Sequence, residues 1–308
     1  MKKLQVLITG AEGYLGSRLA QDFSDREFTI RLTDIAGGKE WGGGDKKYVA
    51  PMDLLHDDSA SSDEALSGID VVVHAATSRP DSDRTGAGTG AESRFSIELD
   101  NLRIAQSLMA KAMKAGVRRV VILSSNHATD WYETCDLLTE GRLSASVFPA
   151  AVDFYGWARS AIELLTIPYS VGTFGYKLEV VILRVGAPRE LIAKDYLVFD
   201  AEGNLVAFDR ARLHRDLGAF LSRRDFAQLV ALAITSPQVR GLGDLPWLIT
   251  YATSQNARAF WSLDTARLRL GYVPMDDSDS RFAGLIREAG LPPWTDGTKV
   301  LEEGGPAW

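Results

Sequence analysis

Short apolar runs alternate with amphipathic segments along the first 190 residues of the chain. The apolar runs predict strands, which are Leu4–Ile8, Phe28–Thr33, Lys47–Val49, Ile69–His74, Val117–Leu123 and Leu178–Val185. Apolar positions at helical spacing predict helices, of which the clearest are Tyr14–Phe23, Glu92–Ala115 and Val152–Thr166. Val117–Leu123 ends in the unbroken apolar run Val120–Leu123, which is typical of strands in a sheet whose two faces are covered. The alternation therefore predicts an α/β fold with a doubly wound parallel sheet and right-handed crossovers.

This rhythm changes after Pro188. The later pieces are a hairpin over Tyr196–Phe208, a helix over Arg224–Thr235, a strand over Trp247–Tyr251 and a helix over Asp264–Leu270. We expect residues 1–190 to form the sheet domain. Residues 191–308 then form mainly a smaller, substrate-binding lobe, packed closely over the carboxyl ends of the strands, where ligands bind in such sheets. Two stretches predict loops: Gly37–Asp45 is glycine-rich, and Pro80–Gly90 has no core-forming residue.

A glycine-rich turn, T-G-A-E-G-Y-L-G, lies between the first strand and the first helix. Its glycines recur at three-residue spacing and are Gly10, Gly13 and Gly16. They suit a tight turn, a close approach of backbone to phosphate, and close packing of helix on sheet. Tyr14 and Leu15 open the helix, whose free N–H groups and positive dipole end favour a pyrophosphate. The turn therefore predicts a Rossmann-type domain that binds an adenine dinucleotide, although glycines also mark ordinary loops.

Acidic and small residues follow the next strands at places that suit the same cofactor. Asp34 ends the second strand, where a carboxylate accepts hydrogen bonds from the ribose hydroxyls and repels a 2′-phosphate, so NAD is favoured over NADP. Asp53, followed by Leu54, stands where a carboxylate can meet the adenine amino group. Ala75 and Ala76 end the next strand and leave room for a cofactor against the backbone.

Composition narrows the partners. A formal net charge of −7 argues against nucleic acid or an anionic membrane surface, and no apolar run approaches the ~18 residues of a membrane span. Cys135 is the single cysteine and the four histidines are scattered, so neither a disulfide nor a metal site is predicted. We expect a soluble cytoplasmic protein that acts on a small molecule.

Two further stretches carry candidate chemistry. Ser125 follows the apolar strand at Val117–Leu123, and Tyr155 and Arg159 lie four residues apart on one face of the next predicted helix. A tyrosine that acts as a base near neutral pH needs a pKa below its ordinary value of about 10, and a fixed cation supplies that shift. Arg159 can be that cation, and Ser125 can orient the substrate oxygen during proton transfer. The alternative for Tyr155 is a half-buried aromatic side chain without a chemical role.

With the glycine turn, Asp34 and the run H-A-A from His74, these residues make the chain resemble the extended short-chain dehydrogenase/reductases, the NAD-dependent epimerase/dehydratase group. The resemblance covers nearly the whole length and is most specific to uronate dehydrogenases. It rests on S-S-N-H from Ser124, Y-G from Tyr155, R-V-G from Arg184, and R-x-x-x-x-F-L-S-x-x-D-F from Arg215.

The resemblance implies an NAD-dependent oxidation of a hydroxyl on a small sugar or sugar acid. It implies that Ser78, Asn126 and His127 contact the substrate and that Arg215 holds a substrate carboxylate in its fork. It also implies pairing of two copies through the helices Glu92–Ala115 and Val152–Leu165. The alternatives are a loop cap for His127 and a surface salt bridge with Asp216 for Arg215. We expect Asn101 to bond the backbone near Ser125.

Two departures from the family pattern leave other functions open. Arg159 stands where the family has lysine, and a guanidinium is larger and differently placed than an ammonium. Ala187 stands where uronate dehydrogenases have a substrate-binding serine. The sequence is therefore also compatible with an epimerase or lyase that retains its NAD, and with a catalytically silent NAD(H)-binding protein.

Overall fold

A computed structural model describes residues 3–23, 28–35, 47–56, 59–78, 90–134 and 142–292. The strands in these ranges are β1 (Leu4–Thr9), β2 (Phe28–Thr33), β3 (Lys47–Tyr48), β4 (Val71–His74), β5 (Arg119–Ser125), β6 (Glu179–Val185), β7 (Leu197–Phe199), β8 (Leu205–Phe208) and β9 (Trp247–Ala252). The helices are α1 (Tyr14–Asp22), α2 (Ser59–Leu66), α3 (Ala91–Lys114), α4 (Trp131–Thr134), α5 (Phe154–Leu165), α6 (Ile167–Val171), α7 (Arg210–Ala219), α8 (Arg223–Thr235), α9 (Asp264–Leu270), α10 (Ser278–Arg281) and α11 (Ala283–Glu288).

Seven strands form one parallel sheet in the order β3-β2-β1-β4-β5-β6-β9. Alternate residues of β1 point into different cores: Val6 and Ile8 pack with α8, and Leu7 packs in the core that α3 covers. Burial on both faces explains the apolar runs of the inner strands. The doubly wound α/β fold predicted from the sequence is confirmed.

One predicted placement is wrong. We expected Trp247–Tyr251 in the smaller lobe, but β9 pairs with β6 and extends the main sheet, with Trp247 opposite Val180. The cause is burial, because every residue of β9 is buried and a strand of that kind needs cover on both faces. Helix α8 likewise packs on the main sheet through Phe226 and Leu229. The division at residue 190 stays a prediction.

The predicted hairpin is present. Strands β7 and β8 pair antiparallel, and the loop between them includes Glu202, Gly203 and Asn204. A separate apolar cluster joins the hairpin region to α7 and α11, and its members include Tyr196, Leu213, Leu217, Phe282 and Ile286. This cluster corresponds best to the core of the smaller lobe that the sequence predicts.

Other predictions fall outside the described residues, namely the loop Gly37–Asp45, nearly all of the loop Pro80–Gly90, and Cys135. Within the described ranges, no helix is long and apolar enough to cross a membrane.

Candidate active site

The glycine turn between β1 and α1 is shaped by close backbone contacts. Gly10 has a φ of 64°, and a Cβ there would lie 2.6 Å from the Cα of Ala76. A Cβ at Gly16 would overlap the carbonyl oxygen of Gly10, so α1 presses directly on the turn. Gly13 is the N-cap of α1 and brings no side chain to the free N–H groups of the first turn. The turn therefore keeps an anion-binding helix end open beside Ala75 and Ala76.

Asp34 lies next to this turn at the end of β2. Its Oδ2 accepts a hydrogen bond from the backbone N–H of Glu12 at 2.9 Å, and its Oδ1 accepts one from Ile35 at 2.8 Å. A carboxylate oxygen can accept a second hydrogen bond, so both oxygens remain able to take a ribose hydroxyl. Asp34 is thus bonded to the glycine turn and keeps acceptor capacity for the ribose hydroxyls that we expect there.

Asp53 has a local role in the structure. Its Oδ1 accepts from the backbone N–H groups of Leu55 (2.9 Å) and His56 (3.0 Å), and its Oδ2 accepts from Nδ1 of His56 (2.9 Å). Burial raises the pKa of Asp53, but the bonds from His56 and Leu55 outweigh that effect and hold the pKa below its ordinary value. Leu54 is buried in the core under α3. Contact of this pair with adenine stays a prediction.

The structure brings Ser125, His127 and Tyr155 together at the carboxyl end of β5. The hydroxyl of Ser125 accepts from the backbone N–H of His127 at 3.3 Å and caps the short 3₁₀ turn that follows β5. The edge of the Tyr155 ring meets the ring of His127 with centroids 5.6 Å apart. On α5, Asp153 accepts from the N–H of Gly156 at 2.7 Å, which fixes the start of the helix. Ser125 and Tyr155 therefore both contact His127, and their joint action on a substrate stays a prediction.

Arg159 lies behind Tyr155. Its guanidinium carbon is 4.8 Å from the centre of the Tyr155 ring, and the side chain is buried, with 6% of the residue exposed. Among the described residues it forms no hydrogen bond or ion pair, and its Nε is fully enclosed. Burial and the charge of Arg159 together lower the pKa of the neighbouring His74 to about 3. A buried guanidinium without a partner is costly, so this position suits a polar ligand.

A charged cluster continues the site from His127 to α7. Nδ1 of His127 donates to Asp130 Oδ2 at 2.5 Å. Arg215 donates from Nη2 to Asp130 Oδ1 at 3.1 Å and to Glu133 Oε1 at 3.0 Å, and from Nε to Glu133 Oε2 at 2.7 Å. The Asn126 amide is satisfied when its nitrogen donates to Val185 and its oxygen accepts from Arg215. The edge of the guanidinium formed by Nε and Nη2 is thus taken by Glu133.

The surface salt bridge considered for Arg215 is wrong, because Asp216 bonds Arg189 (2.5 Å) and the hydroxyl of Tyr196 (2.9 Å) instead. The expected contact of Asn101 is also wrong. Oδ1 of Asn101 accepts from the N–H of Ser78 at 2.7 Å, and its amide donates to the carbonyl of Ser78 at 3.3 Å. Helix α3 therefore fixes Ser78, not the segment at Ser125.

Sequence reasoning missed Asp130 and Glu133. They follow His127 at three and six residues, which places all three along one side of a helical turn, and that spacing was an available signal. Their partner Arg215 is 82 residues beyond Glu133. Within the described ranges, no group of His, Cys, Asp and Glu side chains has an arrangement that could hold a metal ion.

Several residues that carried the family resemblance hold the scaffold. Asp225 is fully buried and accepts from Ser254 (2.6 Å) and from the N–H groups of Met275 and Asp276. Arg184 pairs with Glu163 at 2.8 Å, and Glu163 accepts from the hydroxyl of Ser124 at 2.8 Å. These contacts stabilise the ends of β5, β6 and β9 beneath the site.

The open helix end, Asp34 and the Ser/Tyr pair beside a buried cation define a class, the Rossmann-type proteins of the extended short-chain dehydrogenase/reductase kind. The model of the NAD dependent epimerase/dehydratase family matches residues 6–188, and the chain belongs to that family. The match confirms the predicted resemblance, NAD as the cofactor, and an enzyme class of NAD-dependent dehydrogenases and epimerases.

Curated relatives match along most of the chain. A uronate dehydrogenase of Pseudomonas putida is 26% identical over 305 residues, which are 98% of this chain and 94% of the relative. An NAD-dependent glucose-6-phosphate dehydrogenase of Haloferax volcanii is 27% identical over 285 residues, which cover 89% of this chain and 94% of the relative.

Solved structures show the same fold. Uronate dehydrogenase from Agrobacterium tumefaciens has a TM-score of 0.64 and 23% identity, covering 96% of this chain and 93% of that one. Glucuronic acid dehydrogenase from Chromohalobacter salexigens has a TM-score of 0.67 and 20% identity, and the match covers 97% of this chain and 93% of that one.

Proposed function

We propose that this protein is an NAD-dependent dehydrogenase that oxidises a hydroxyl of a small sugar or sugar acid. The observation that carries the proposal is the meeting of Ser125, His127 and Tyr155 in front of the buried, unpaired Arg159. The relatives described above, a uronate dehydrogenase and a glucose-6-phosphate dehydrogenase, support a sugar substrate.

The residues present fit NAD. The N–H groups of Tyr14 and Leu15 would face the pyrophosphate, since Gly13 offers no side-chain cap. Asp34 would bond the adenosine ribose, and Ala75 would lie under the cofactor. Arg159, whose enclosed Nε has no partner among the described residues, would bond the nicotinamide ribose. When bound, NAD supplies the hydride acceptor for the oxidation.

The side chains of the site divide the remaining work. Tyr155 would take the proton of the substrate hydroxyl, and Ser125 would hydrogen-bond the same oxygen. The charge of Arg159 would stabilise the phenolate, because the buried guanidinium lies 4.8 Å from the centre of the Tyr155 ring. Asn126, His127 and Ser78 would hold the other hydroxyls.

The test is Tyr155→Phe. This variant should reduce NAD at least ~100-fold more slowly, because proton transfer by a positioned side chain is worth about that much, while NAD binding measured by calorimetry stays the same. Tyr176→Phe is a matched control, since Tyr155 and Tyr176 are both 38% exposed and Tyr176 lies outside the site. Unchanged turnover of Tyr155→Phe would exclude this mechanism.

A catalytically silent NAD(H)-binding protein is the second candidate. It is favoured by the position of the Arg159 guanidinium over the face of the Tyr155 ring, where the family has a lysine. Activity that appears only in Arg159→Lys would support it. A substrate converted without net NADH would instead indicate an epimerase or lyase.

We also propose that two copies pair through α3 and α5, which carry an exposed aromatic group. Phe95 on α3 lies 5.2 Å from Phe154 and 5.6 Å from Trp157 on α5, measured between ring centres. Phe95→Lys should give a monomer in sedimentation velocity. Leu268→Lys is the control, because Leu268 is an exposed apolar side chain on α9. A cytoplasmic location stays a prediction.

A further inference from the structure

The guanidinium edge of Arg215 formed by Nε and Nη2 is fully used inside the protein. Glu133 accepts from both atoms, at 2.7 and 3.0 Å, and Asp130 accepts a further bond from Nη2 at 3.1 Å. This is the bidentate geometry in which arginine holds a carboxylate most strongly. A substrate carboxylate would have to displace Glu133 to use this edge, and at Nη1 it would meet a guanidinium whose charge two carboxylates already balance.

Displacement is unfavourable because of where Glu133 lies. Its side chain is 16% exposed and that of Asp130 is 7% exposed, so a carboxylate released from Arg215 would stay largely buried without a counter-charge. An incoming carboxylate would also lie close to two side chains of its own sign. The cluster therefore opposes an acidic group at this end of the site.

The cluster belongs to the proposed site and is not a distant salt bridge. His127, whose ring meets that of Tyr155, donates directly to Asp130. Carboxylate oxygens are strong acceptors for sugar hydroxyls, so Asp130 and Glu133 can bind a neutral substrate without losing Arg215. His127 therefore links Tyr155, the predicted proton acceptor, to the two carboxylates that can bind substrate hydroxyls.

We infer that Glu133 and Asp130 keep Arg215 as an internal ion pair, and that the site accordingly selects a neutral sugar over the sugar acid that differs from it only by a carboxylate. This inference rests on the proposed function, which leaves both substrate classes open. Glu133 is the specificity-determining residue.

The ionisation of Glu133 gives the inference a pH signature. Burial raises the pKa of Glu133 to about 7, Arg215 opposes the shift, and Asp130 adds to it. Burial also raises the pKa of Asp130, but His127 and Arg215 outweigh it and hold that pKa below its ordinary value. Glu133 therefore loses its charge as the pH falls through about 7, while Asp130 keeps its own.

The experiment compares matched substrates, glucose with glucuronate and galactose with galacturonate, on the full chain with saturating NAD. For the wild type, kcat/KM for the better neutral sugar should exceed that of its acid by at least ~10-fold, a normal discrimination for one group in a pocket. The acid-to-neutral ratio should rise as the pH is lowered from about 8.5 to about 6, as protonation removes the charge of Glu133.

Glu133→Gln isolates the charge, because glutamine keeps the size and one acceptor. The acid-to-neutral ratio should rise about 10-fold in this variant and lose its pH dependence. Asp63→Asn is the control, since Asp63 forms an exposed pair with Lys114 away from the site. An unchanged ratio in a folded Glu133→Gln variant, or a wild type that prefers the acid of each pair, would overturn the inference. If the variant does not fold, the pH series on the wild type decides.

Calorimetric binding of the same sugars to the protein saturated with NADH separates the two proposals. Tighter binding of the neutral sugar without any turnover would refute the proposed dehydrogenase and support the selectivity. Turnover with tighter binding of the acid would do the reverse. Absence of binding for all four sugars would count against both.

Discussion

Helix α5 approaches the loop after β5 so closely that a Cβ at Gly156 would overlap the carbonyl oxygen of His127. The absence of a side chain at Gly156 is what lets its neighbour Tyr155 reach the ring of His127. The same residue donates its N–H to Asp153, which caps the helix. One glycine therefore sets both the position and the start of the helix that carries Tyr155 and Arg159.

Gly156→Ala should damage the site more than the fold. The new methyl group would press on His127 and on Cβ of Ala151, and the helix start would have to move. We expect a loss of about 1–3 kcal/mol in the free energy of unfolding, as for other overpacked positions, and a fall in kcat of at least ~10-fold, because small misplacements are costly in catalysis. Denaturant unfolding and NAD reduction measure the two effects.

Gly284→Ala is the control for this substitution, since a Cβ at Gly284 in α11 meets nothing within 4 Å. It should leave kcat unchanged. A Gly156→Ala variant with normal kcat would show that the close approach of α5 does not set the position of Tyr155.

The buried ion pair beneath the site gives a second prediction. Arg184 and Glu163 are almost completely buried and bond through two atoms each, at 2.8 and 3.0 Å. Arg184→Met would leave the Glu163 carboxylate buried and unpaired, so the free energy of unfolding should fall by about 3–5 kcal/mol. The double variant with Glu163→Met should recover much of that loss, because no charge then remains.

An exposed pair serves for comparison in the same unfolding experiment. Arg240 and Asp244 lie 2.5 Å apart at the surface, and Arg240→Met should cost less than ~1 kcal/mol. Equal losses for Arg184→Met and Arg240→Met would contradict the role assigned to burial.

Local patterns in the sequence predicted the helices and strands well, but they could not predict which strands pair across the sheet. Phe28–Thr33 has its predicted bounds, because alternation and a following turn are properties of neighbouring residues. The edge that β9 joins is set by pairing with Val180, 67 residues earlier than Trp247, and no local pattern contains that choice. The apolar residues of Trp247–Ala252, interrupted only by Thr250, were the signal that favoured a covered parallel strand over a small lobe.

The site divides in the same way. The glycine spacing and the interval between Tyr155 and Arg159 are patterns within a few neighbouring residues. In the structure the glycines lie at the start of α1, and Tyr155 and Arg159 lie on one face of α5. Whether the Arg215 guanidinium is available to a substrate depends on Glu133, which lies on another helix. The sequence alone therefore predicted a guanidinium available to a substrate carboxylate. Asn101 was placed on the correct helix, but its partner depended on where the segment after β4 crosses α3.

Asn101 gives the third prediction. It satisfies both the N–H and the carbonyl of Ser78, and a group left unpaired there costs about 1–3 kcal/mol. Asn101→Ala should therefore raise the KM for the sugar by about 10-fold with a smaller change in kcat, because Ser78 loses its fixed position. Steady-state kinetics at saturating NAD measure the split.

Asp100→Ala is the control on the same helix, because Asp100 pairs with Arg103 at the surface. It should change neither constant. If Asn101→Ala lowers kcat and leaves KM as it was, Ser78 does not contact the substrate in the way proposed.

His74 gives the last prediction, a pH dependence of stability. Its ring bonds the hydroxyl of Thr9 at 2.9 Å, and burial, with the charge of Arg159, lowers its pKa to about 3. The folded protein therefore keeps His74 neutral at pH values where the unfolded chain takes up a proton. The stabilisation is complete above the unfolded pKa of 6.5 and is lost progressively as the pH falls from there towards about 3.

At about pH 5 the loss from this one histidine should be about 2 kcal/mol, which is the unfolded-state protonation expressed as free energy. His74→Gln removes the titration and keeps an acceptor for Thr9, so urea unfolding at about pH 7.5 and pH 5 should show a smaller decline for the variant than for the wild type. His56→Gln is the control, because His56 is exposed and should leave the decline unchanged. Equal declines for His74→Gln and the wild type would mean that His74 is protonated in the folded protein, against the burial beside Arg159 that the structure shows.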